Sequence, residues 1–209
     1  MTKKEGIGMN KIITIGRELG SGGRELGRRL AENLGYAYYD QEILDEIVKR
    51  TDLSEKYVKS IVERKPMLSF PIHIGHSFQM MSNPVADHSQ KIYQEQCNIL
   101  REMAEKSNCV IVGRCADYIL KDMNPFRIFV YAEMEGRMER CRRKEQSHHN
   151  TMTDRELRQH IKEVDKHRAQ YYGFYTDQKW GDRQNYDLCV NTTNADIKEV
   201  AKILTKLFE

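Results

Sequence analysis

The segment from residue 13 to residue 26 carries the groups best suited to binding phosphate. A β-branched run enters it, four of the eight positions from 16 to 23 are glycine, and a helical pattern follows. Successive backbone N–H groups and the positive end of a helix attract anions, and glycine lets phosphate reach the backbone. The segment therefore predicts a phosphate loop whose ligand contacts lie at Gly16, Gly20, Ser21, Gly22, Gly23, Arg24 and Glu25.

This loop departs from the usual G-x-x-x-x-G-K-[ST] pattern, whose lysine and hydroxyl bind phosphate and magnesium. One register, set by the following helix, places Gly22 at the last glycine, Gly23 at the lysine and Arg24 at the hydroxyl. A register shifted by one places Arg24 at the lysine and Glu25 at the hydroxyl, with a longer loop. Because arginine binds phosphate well, either Arg17 or Arg24 could replace the missing positive charge.

A second set of cations lies between residues 134 and 172, where two charged helices are predicted. The second helix opens with a capping box from Thr153 to Glu156. Phosphoryl transfer spreads negative charge over the transferred oxygens, which positioned arginines stabilise. If these helices close as a lid, Arg140 and Arg143, spaced i and i+3, and Arg168 are the candidate catalytic residues, together with Arg17 and Arg24.

Two further polar residues follow predicted strands. Asp40 ends the run from residue 36 to residue 39, and Arg114 follows the run from residue 109 to residue 113. Ligands of open α/β sheets bind at the carboxyl ends of the strands, so both are candidate substrate-binding residues. Asp40 could instead cap the next helix, and Arg114 could be a surface residue where a helix begins.

The elements that must position these groups alternate short β-branched runs with longer helical periods, which is typical of a parallel sheet covered by helices. The predicted strands include residues 11–15, 36–39, 109–113, 127–132 and 186–190. Gly35 is predicted to end the first helix. Residues 66–87, with three of the four prolines, predict an irregular insertion or flap.

Composition excludes several classes of protein. The 209 residues carry a net charge of only +3, which disfavours a nucleic-acid-binding module. No apolar run is long enough for a membrane span or a signal peptide, and five cysteines without a Cys-x-x-Cys pair argue against a disulfide framework or a zinc site. We therefore expect a cytoplasmic protein that binds no metal cluster, nucleic acid or membrane; its oligomeric state stays open.

The chain resembles the cytidylate kinase-like family of P-loop nucleoside monophosphate kinases. The matching segments occur in the family's order and are Gly20–Gly22, Tyr39–Asp40, Val112–Arg114, Phe129–Ala132, Asp165–Arg168 with Tyr171–Tyr172, and Tyr186–Leu188 running to Asn191–Thr192. The resemblance implies an α/β three-layer sandwich with a five-stranded parallel sheet. It also implies an insertion after the second strand and a lid between the last two. The single domain is then predicted to have a core of residues 10–50, 88–133 and 181–209, an insertion at about 51–87 and a lid at about 134–180.

The resemblance also implies an activity. The protein would transfer the γ-phosphoryl group of ATP, with Mg²⁺, to a small acceptor, for which a nucleoside monophosphate such as CMP is the best candidate. Arg114 would hold the acceptor's phosphate, and Asp40 could orient the acceptor or a magnesium-bound water. The absent loop lysine motivates the alternative of a nucleotide-binding protein that does not catalyse transfer.

Overall fold

The computed structural model describes residues 11–63, 84–145 and 152–209. The strands are β1 (Ile12–Arg17), β2 (Ala37–Tyr39), β3 (Cys109–Val112), β4 (Phe126–Tyr131) and β5 (Leu188–Asn191). The helices are α1 (Gly23–Leu34), α2 (Glu42–Thr51), α3 (Glu55–Glu63), α4 (Pro84–Lys106), α5 (Ala116–Ile119), α6 (Met134–Glu145), α7 (Asp154–Thr176) and α8 (Ile197–Thr205).

Within the described residues the strands form one sheet in the order β2-β3-β1-β4-β5, and every pairing is parallel. The register places Ile13 between Val110 of β3 and Phe126 of β4. Since β1 is central, the loop that follows it opens at the carboxyl edge of the sheet between two neighbouring strands. The predicted five-stranded parallel sheet is confirmed.

The sheet is covered by helices on both faces because its strands are apolar on both. Ile13 and Ile15 of β1 pack with Leu26 and Leu30 of α1 and with α8, whereas Ile12 belongs to the core formed with α2, α3, α4 and α7. The result is the predicted three-layer sandwich. No helix among the described residues is long and apolar enough to cross a lipid bilayer.

Local sequence signals explain several helix ends. Gly35, at φ 66°, ends α1 as predicted, and its N–H donates to the carbonyls of Ala31 and Glu32. Thr153 and Glu156 form the predicted capping box of α7.

The prediction of irregular structure over residues 66–87 is wrong for its last part, because α4 begins at Pro84. Proline has no N–H to lose at the first position of a helix, and its ring favours the helical φ angle there. Residues 66–83 of that prediction lie outside the described residues. Helix α3 was not predicted from the sequence.

Candidate active site

The phosphate loop joins β1 to α1 and is partly exposed, with Ser21 and Gly23 buried and Arg24 exposed. Gly20 and Gly22 have φ angles of 79° and 83°, which side chains other than glycine's rarely adopt. Gly22 is the N-cap of α1 without a side-chain capping bond, so the first N–H groups of the helix are directed toward the loop. Ser21 turns inward and donates from Oγ to the Glu18 carbonyl at 2.9 Å. The loop borders a cavity of about 480 Å³, which we name the donor cavity because the sequence predicts that the phosphoryl donor binds at this loop.

The start of α1 favours one of the two registers. With Gly22 as the N-cap and Gly23 as the first helical residue, Gly22 takes the place of the last loop glycine. Gly23 then stands at the lysine position and Arg24 at the hydroxyl position. The loop therefore lacks both side chains on which the usual pattern depends.

Three arginines lie where the donor cavity meets a second, larger one. The acceptor cavity, as we name it, has a volume of about 690 Å³, and Arg17, Arg24 and Arg168 line both cavities. Each comes from a different element: the end of β1, the first turn of α1 and the middle of α7. Their convergence places three positive charges at the boundary between two sites.

Arg17 is the most buried of the three, with its side chain 12% exposed. One guanidinium nitrogen, Nη2, lies 3.7 Å from Oδ1 of Asp40. Burial lowers the pKa of Arg17 well below its ordinary value, and the positive charges of Arg168 and Arg114 lower it further against the opposing effect of Asp40. The charge of Arg17 is therefore only partly compensated by the protein.

Asp40 pairs with two arginines and does not cap the helix that follows it. Its Oδ2 lies 2.5 Å from Nε of Arg24, and α2 has Gln41 as its N-cap, so the alternative capping role is excluded. Asp40 N–H donates to the Glu42 carboxylate at 3.0 Å. The buried Asp40 carboxylate thus holds Arg24 and Arg17 against the end of β2.

The acceptor cavity has a cationic end and an aromatic wall. Arg114, at φ 62°, lines it beside Gly113 where β3 ends, as the sequence predicted for a residue at this edge. Other basic side chains come from α3 and α7 (Lys56, Lys59 and His167), and the wall consists of Tyr57, Tyr171, Tyr172, Trp180 and Tyr186. The contribution of α3 was missed because its residues form an ordinary amphipathic helix with no motif.

Asp117 is the one carboxylate among the described residues that line the acceptor cavity. The Tyr172 hydroxyl donates to its Oδ2 at 2.7 Å. Burial raises the pKa of Asp117, although the hydrogen bond from Tyr172 opposes this. The cavity can therefore accept a hydrogen bond from a ligand at one point on an otherwise cationic and aromatic surface.

Gly16 differs from the other predicted loop contacts, since it lines the acceptor cavity only. A methyl group there would lie 2.8 Å from Cδ2 of Phe129, whose ring packs edge-on against Trp180. The glycine is thus required by packing behind the aromatic wall. Glu25 lines the donor cavity, with its carboxylate 2.8 Å from Nε of Arg29.

The donor cavity is bordered by the predicted pair on α6. Arg140 donates to the carbonyls of Gly20, at 3.5 Å, and of Thr192, which ties the loop to the end of β5. Arg143 has its side chain 66% exposed and lies 3.6 Å from Glu139. Arg140 therefore braces the loop, while Arg143 remains free to turn toward a ligand in this cavity.

A polar network that the sequence did not predict fixes the loop to α6 and α7. Leu19 N–H donates to Oδ1 of Asp165 at 2.8 Å, and Nε of Arg137 donates to the Leu19 carbonyl at 2.7 Å. Arg137 also pairs with Asp165 and, at 3.2 Å, with Glu18. Arg168 donates to the Arg17 carbonyl at 3.2 Å. The sequence signal for this network was the segment Asp165–Arg168, one of those that carry the family resemblance.

Magnesium finds no set of protein ligands here. Arg24 stands at the hydroxyl position, Ser21 is bonded to Glu18, and Asp40 is paired with arginine. The described residues contain no group of three or more His, Cys, Asp or Glu that could hold a metal ion. The described residues thus hold no cluster that would bind Mg²⁺ by itself; an ion arriving with a nucleotide would be held by phosphate oxygens and by at most one or two carboxylates of this cavity, such as Glu25 or Asp196.

A central β1 followed by a glycine-rich loop and a helix, in a parallel sheet with helices on both faces, is the fold of P-loop proteins. Solved structures share this fold. A shikimate kinase from Bacteroides thetaiotaomicron has a TM-score of 0.54 at 19% identity, covering 95% of this chain and 98% of that one. A shikimate kinase from Acinetobacter baumannii, in complex with shikimate, has a TM-score of 0.53 at 15% identity, covering 96% and 93%.

A more similar structure is that of an uncharacterized protein from Eubacterium ventriosum, with a TM-score of 0.68 at 28% identity, covering 94% of this chain and 97% of that one. No curated protein matches the chain significantly. Residues 12–194 match the model of the cytidylate kinase-like family, so the chain belongs to that family. Family and fold together support a phosphotransferase that uses a nucleotide.

Proposed function

We propose that the protein transfers the γ-phosphoryl group of ATP to a small anionic acceptor, with a nucleoside monophosphate such as CMP as the first candidate. The observation that carries the proposal is the meeting of the donor and acceptor cavities at Arg17, Arg24 and Arg168. Phosphoryl transfer requires donor and acceptor to lie in line across positive charge, and little other chemistry is asked of the protein.

The donor cavity suits a polyphosphate. It combines the phosphate loop, the N-terminus of α1 and the side chains of Arg140 and Arg143, on the side where residues 195–198 lead into α8. A chain of phosphates along the loop would end at the three shared arginines. These would stabilise the charge that develops on the transferred oxygens.

The acceptor cavity suits an anion that also carries a planar ring. Arg114, Lys56 and Lys59 supply positive charge, and Tyr57 and Trp180 are the partly exposed aromatic side chains on which a ring could stack. The Asp117 carboxylate could accept a hydrogen bond from an amino or hydroxyl group. A nucleoside monophosphate has all three features: an anionic group, a planar ring and hydrogen-bond donors.

The test is an assay of ADP release with ATP and Mg²⁺ over a panel of nucleoside monophosphates, with shikimate included because one structural neighbour binds it. We expect turnover with at least one nucleotide. Arg114→Ala should raise the KM for that acceptor by roughly tenfold to a hundredfold, the scale of hydrogen bonds to a charged group. Arg101→Ala, on the exposed side of α4, is the matched control and should leave KM unchanged.

The second candidate is a nucleotide-binding protein without transferase activity, which is favoured by the absence of side chains for phosphate and magnesium at Gly23 and Arg24. The same assay separates the two. ATP binding by calorimetry without turnover of any acceptor, from protein with an intact unfolding transition, would support the second and refute the first.

A further inference from the structure

The Arg17 side chain occupies the space that a side chain at the lysine position would need. A methyl group on Gly23 would lie 2.5 Å from Cβ of Arg17 and 3.1 Å from its Cγ. Such distances are shorter than van der Waals contact, and both atoms of Arg17 belong to its stem near the backbone. A lysine at position 23 and Arg17 in its observed place are therefore mutually exclusive.

The position of the Arg17 guanidinium depends on a second glycine, Gly113, which follows the neighbouring strand β3. A methyl group on Gly113, at the end of β3, would overlap Nη1 of Arg17. Gly113 also has a φ angle of 76°. The guanidinium thus lies against the backbone of the strand next to β1, at the boundary of the two cavities.

The charges around Arg17 call for an anion. Asp40 lies 3.7 Å away and also pairs with Arg24, whereas Arg168 and Arg114 bring further positive charge close to Arg17. A buried cation among other cations is costly unless an anion compensates it. The polyphosphate of a nucleotide at this boundary supplies that anion.

Arg24, the other candidate to replace the loop lysine, is less well placed to bind phosphate. Its side chain is 57% exposed, and its Nε is engaged by Asp40 at 2.5 Å. Arg17 is largely buried, and its backbone carbonyl is held by Arg168. The geometry distinguishes the two arginines where the sequence could not.

We propose that Arg17, at the end of β1 where the loop begins, binds the nucleotide's terminal phosphates in place of the loop lysine. Position 23 is then glycine because the Arg17 side chain fills the space that a side chain there would need. This inference rests on the proposed function. In the register that Gly22 fixes, Arg17 stands at the first glycine of the usual pattern and Gly23 at its lysine. The glycine and the cation have therefore exchanged positions.

The experiment is a calorimetric titration of ATP into the wild type, Arg17→Ala, Arg17→Gly, Arg17→Lys, Gly23→Lys and the double variant Arg17→Gly/Gly23→Lys. We expect Arg17→Ala to weaken ATP binding by roughly tenfold to a hundredfold. Arg17→Lys should recover part of that loss. Gly23→Lys alone should be impaired by the steric conflict, and the double variant should bind ATP better than either of its single changes.

Arg28→Ala is the control, because Arg28 pairs with Glu32 on the exposed side of α1. Melting temperatures confirm that each variant is folded. Unchanged ATP affinity in folded Arg17→Ala, or equal binding by Gly23→Lys and the double variant, would overturn the inference while leaving the proposed function standing. Failure of the wild type to bind ATP would instead refute the proposed function, and this inference with it.

Discussion

The amide of Leu19 donates to Oδ1 of Asp165 at 2.8 Å, across 146 residues of sequence. The Leu19 carbonyl is held by Arg137, which also pairs with Asp165. Both polar atoms of one loop residue are therefore bound by helices that follow β4. This arrangement fixes the orientation of a peptide in the phosphate loop before any ligand is present, which reduces the ordering that binding requires.

Asp165→Asn should destabilise the fold. The change leaves an acceptor for Leu19 but removes one of the two carboxylates, with Glu18, that pair with buried Arg137. We expect a loss of roughly 2–4 kcal/mol in the free energy of unfolding, as for other broken buried ion pairs. Urea unfolding measures it.

Asp154→Asn is a matched control for that change. Asp154 also lies on α7 and pairs with an arginine of α6, Arg142, at 2.7 Å, but its side chain is 83% exposed against 13% for Asp165. Exposed pairs contribute at most about 1 kcal/mol. Equal effects of the two substitutions would show that the Asp165 network adds nothing to an ordinary surface pair.

Two glycines with similar backbone angles should respond differently to alanine. Gly35 has a φ angle of 66° and open space around it, whereas Gly113, at 76°, faces the Arg17 guanidinium. Gly35→Ala should cost about 1 kcal/mol of stability through backbone strain alone and leave ATP affinity unchanged. Gly113→Ala should in addition weaken ATP binding, because it displaces Arg17. Calorimetry measures both affinities. Unchanged ATP affinity in both variants would contradict the placement of Arg17.

Asp117 should make stability depend on pH. Because burial raises its pKa in the folded state, the folded protein holds this proton more tightly than the unfolded chain, whose aspartate has a value near 3.8. The stability this provides is complete below that value and is lost as pH rises through the raised pKa. Asp117→Asn should therefore gain stability relative to the wild type as the pH rises above the value near 3.8 of an unfolded aspartate. Urea unfolding at a series of pH values tests it; a pH-independent difference would show that the pKa of Asp117 is not raised by folding.

Removal of magnesium should leave ATP binding in place. The described residues hold no group of three or more His, Cys, Asp or Glu for the ion, and the positive charges at the cavity boundary come from arginine. Calorimetry with excess Mg²⁺ and with EDTA should give comparable affinities. Complete loss of binding in EDTA would show that the protein depends on the ion to hold the nucleotide.

Much of the fold could be predicted because its signals are local. The apolar strands, the stop at Gly35 and the capping box at Thr153 each depend on residues a few positions apart. Helix α3 was missed although its start carries a local signal: Ser54 precedes it, and the Ser54 Oγ accepts from the Tyr57 N–H at 3.3 Å. The division into core, insertion and lid remains a prediction.

The positions of several candidate site residues could be predicted from the sequence, but their arrangement could not, and their roles remain predictions. The phosphate loop and Arg114 were identified from the ends of strands, where ligands of such sheets bind. The pairing of Leu19 with Asp165, and the contact of Arg17 with Gly113, join residues far apart in the sequence. No periodicity or spacing encodes these contacts; they follow from the order of the strands and the docking of α7.

The most direct test of a continuous site is the affinity of a bisubstrate analogue, adenosine joined to cytidine through a polyphosphate chain long enough to span both cavities. Calorimetry should show that it binds wild-type protein much more tightly than ATP, and that Arg168→Ala loses more affinity for it than for AMP. Binding no tighter than that of ATP would contradict the account, because the donor and acceptor cavities would then not be occupied together across the three arginines.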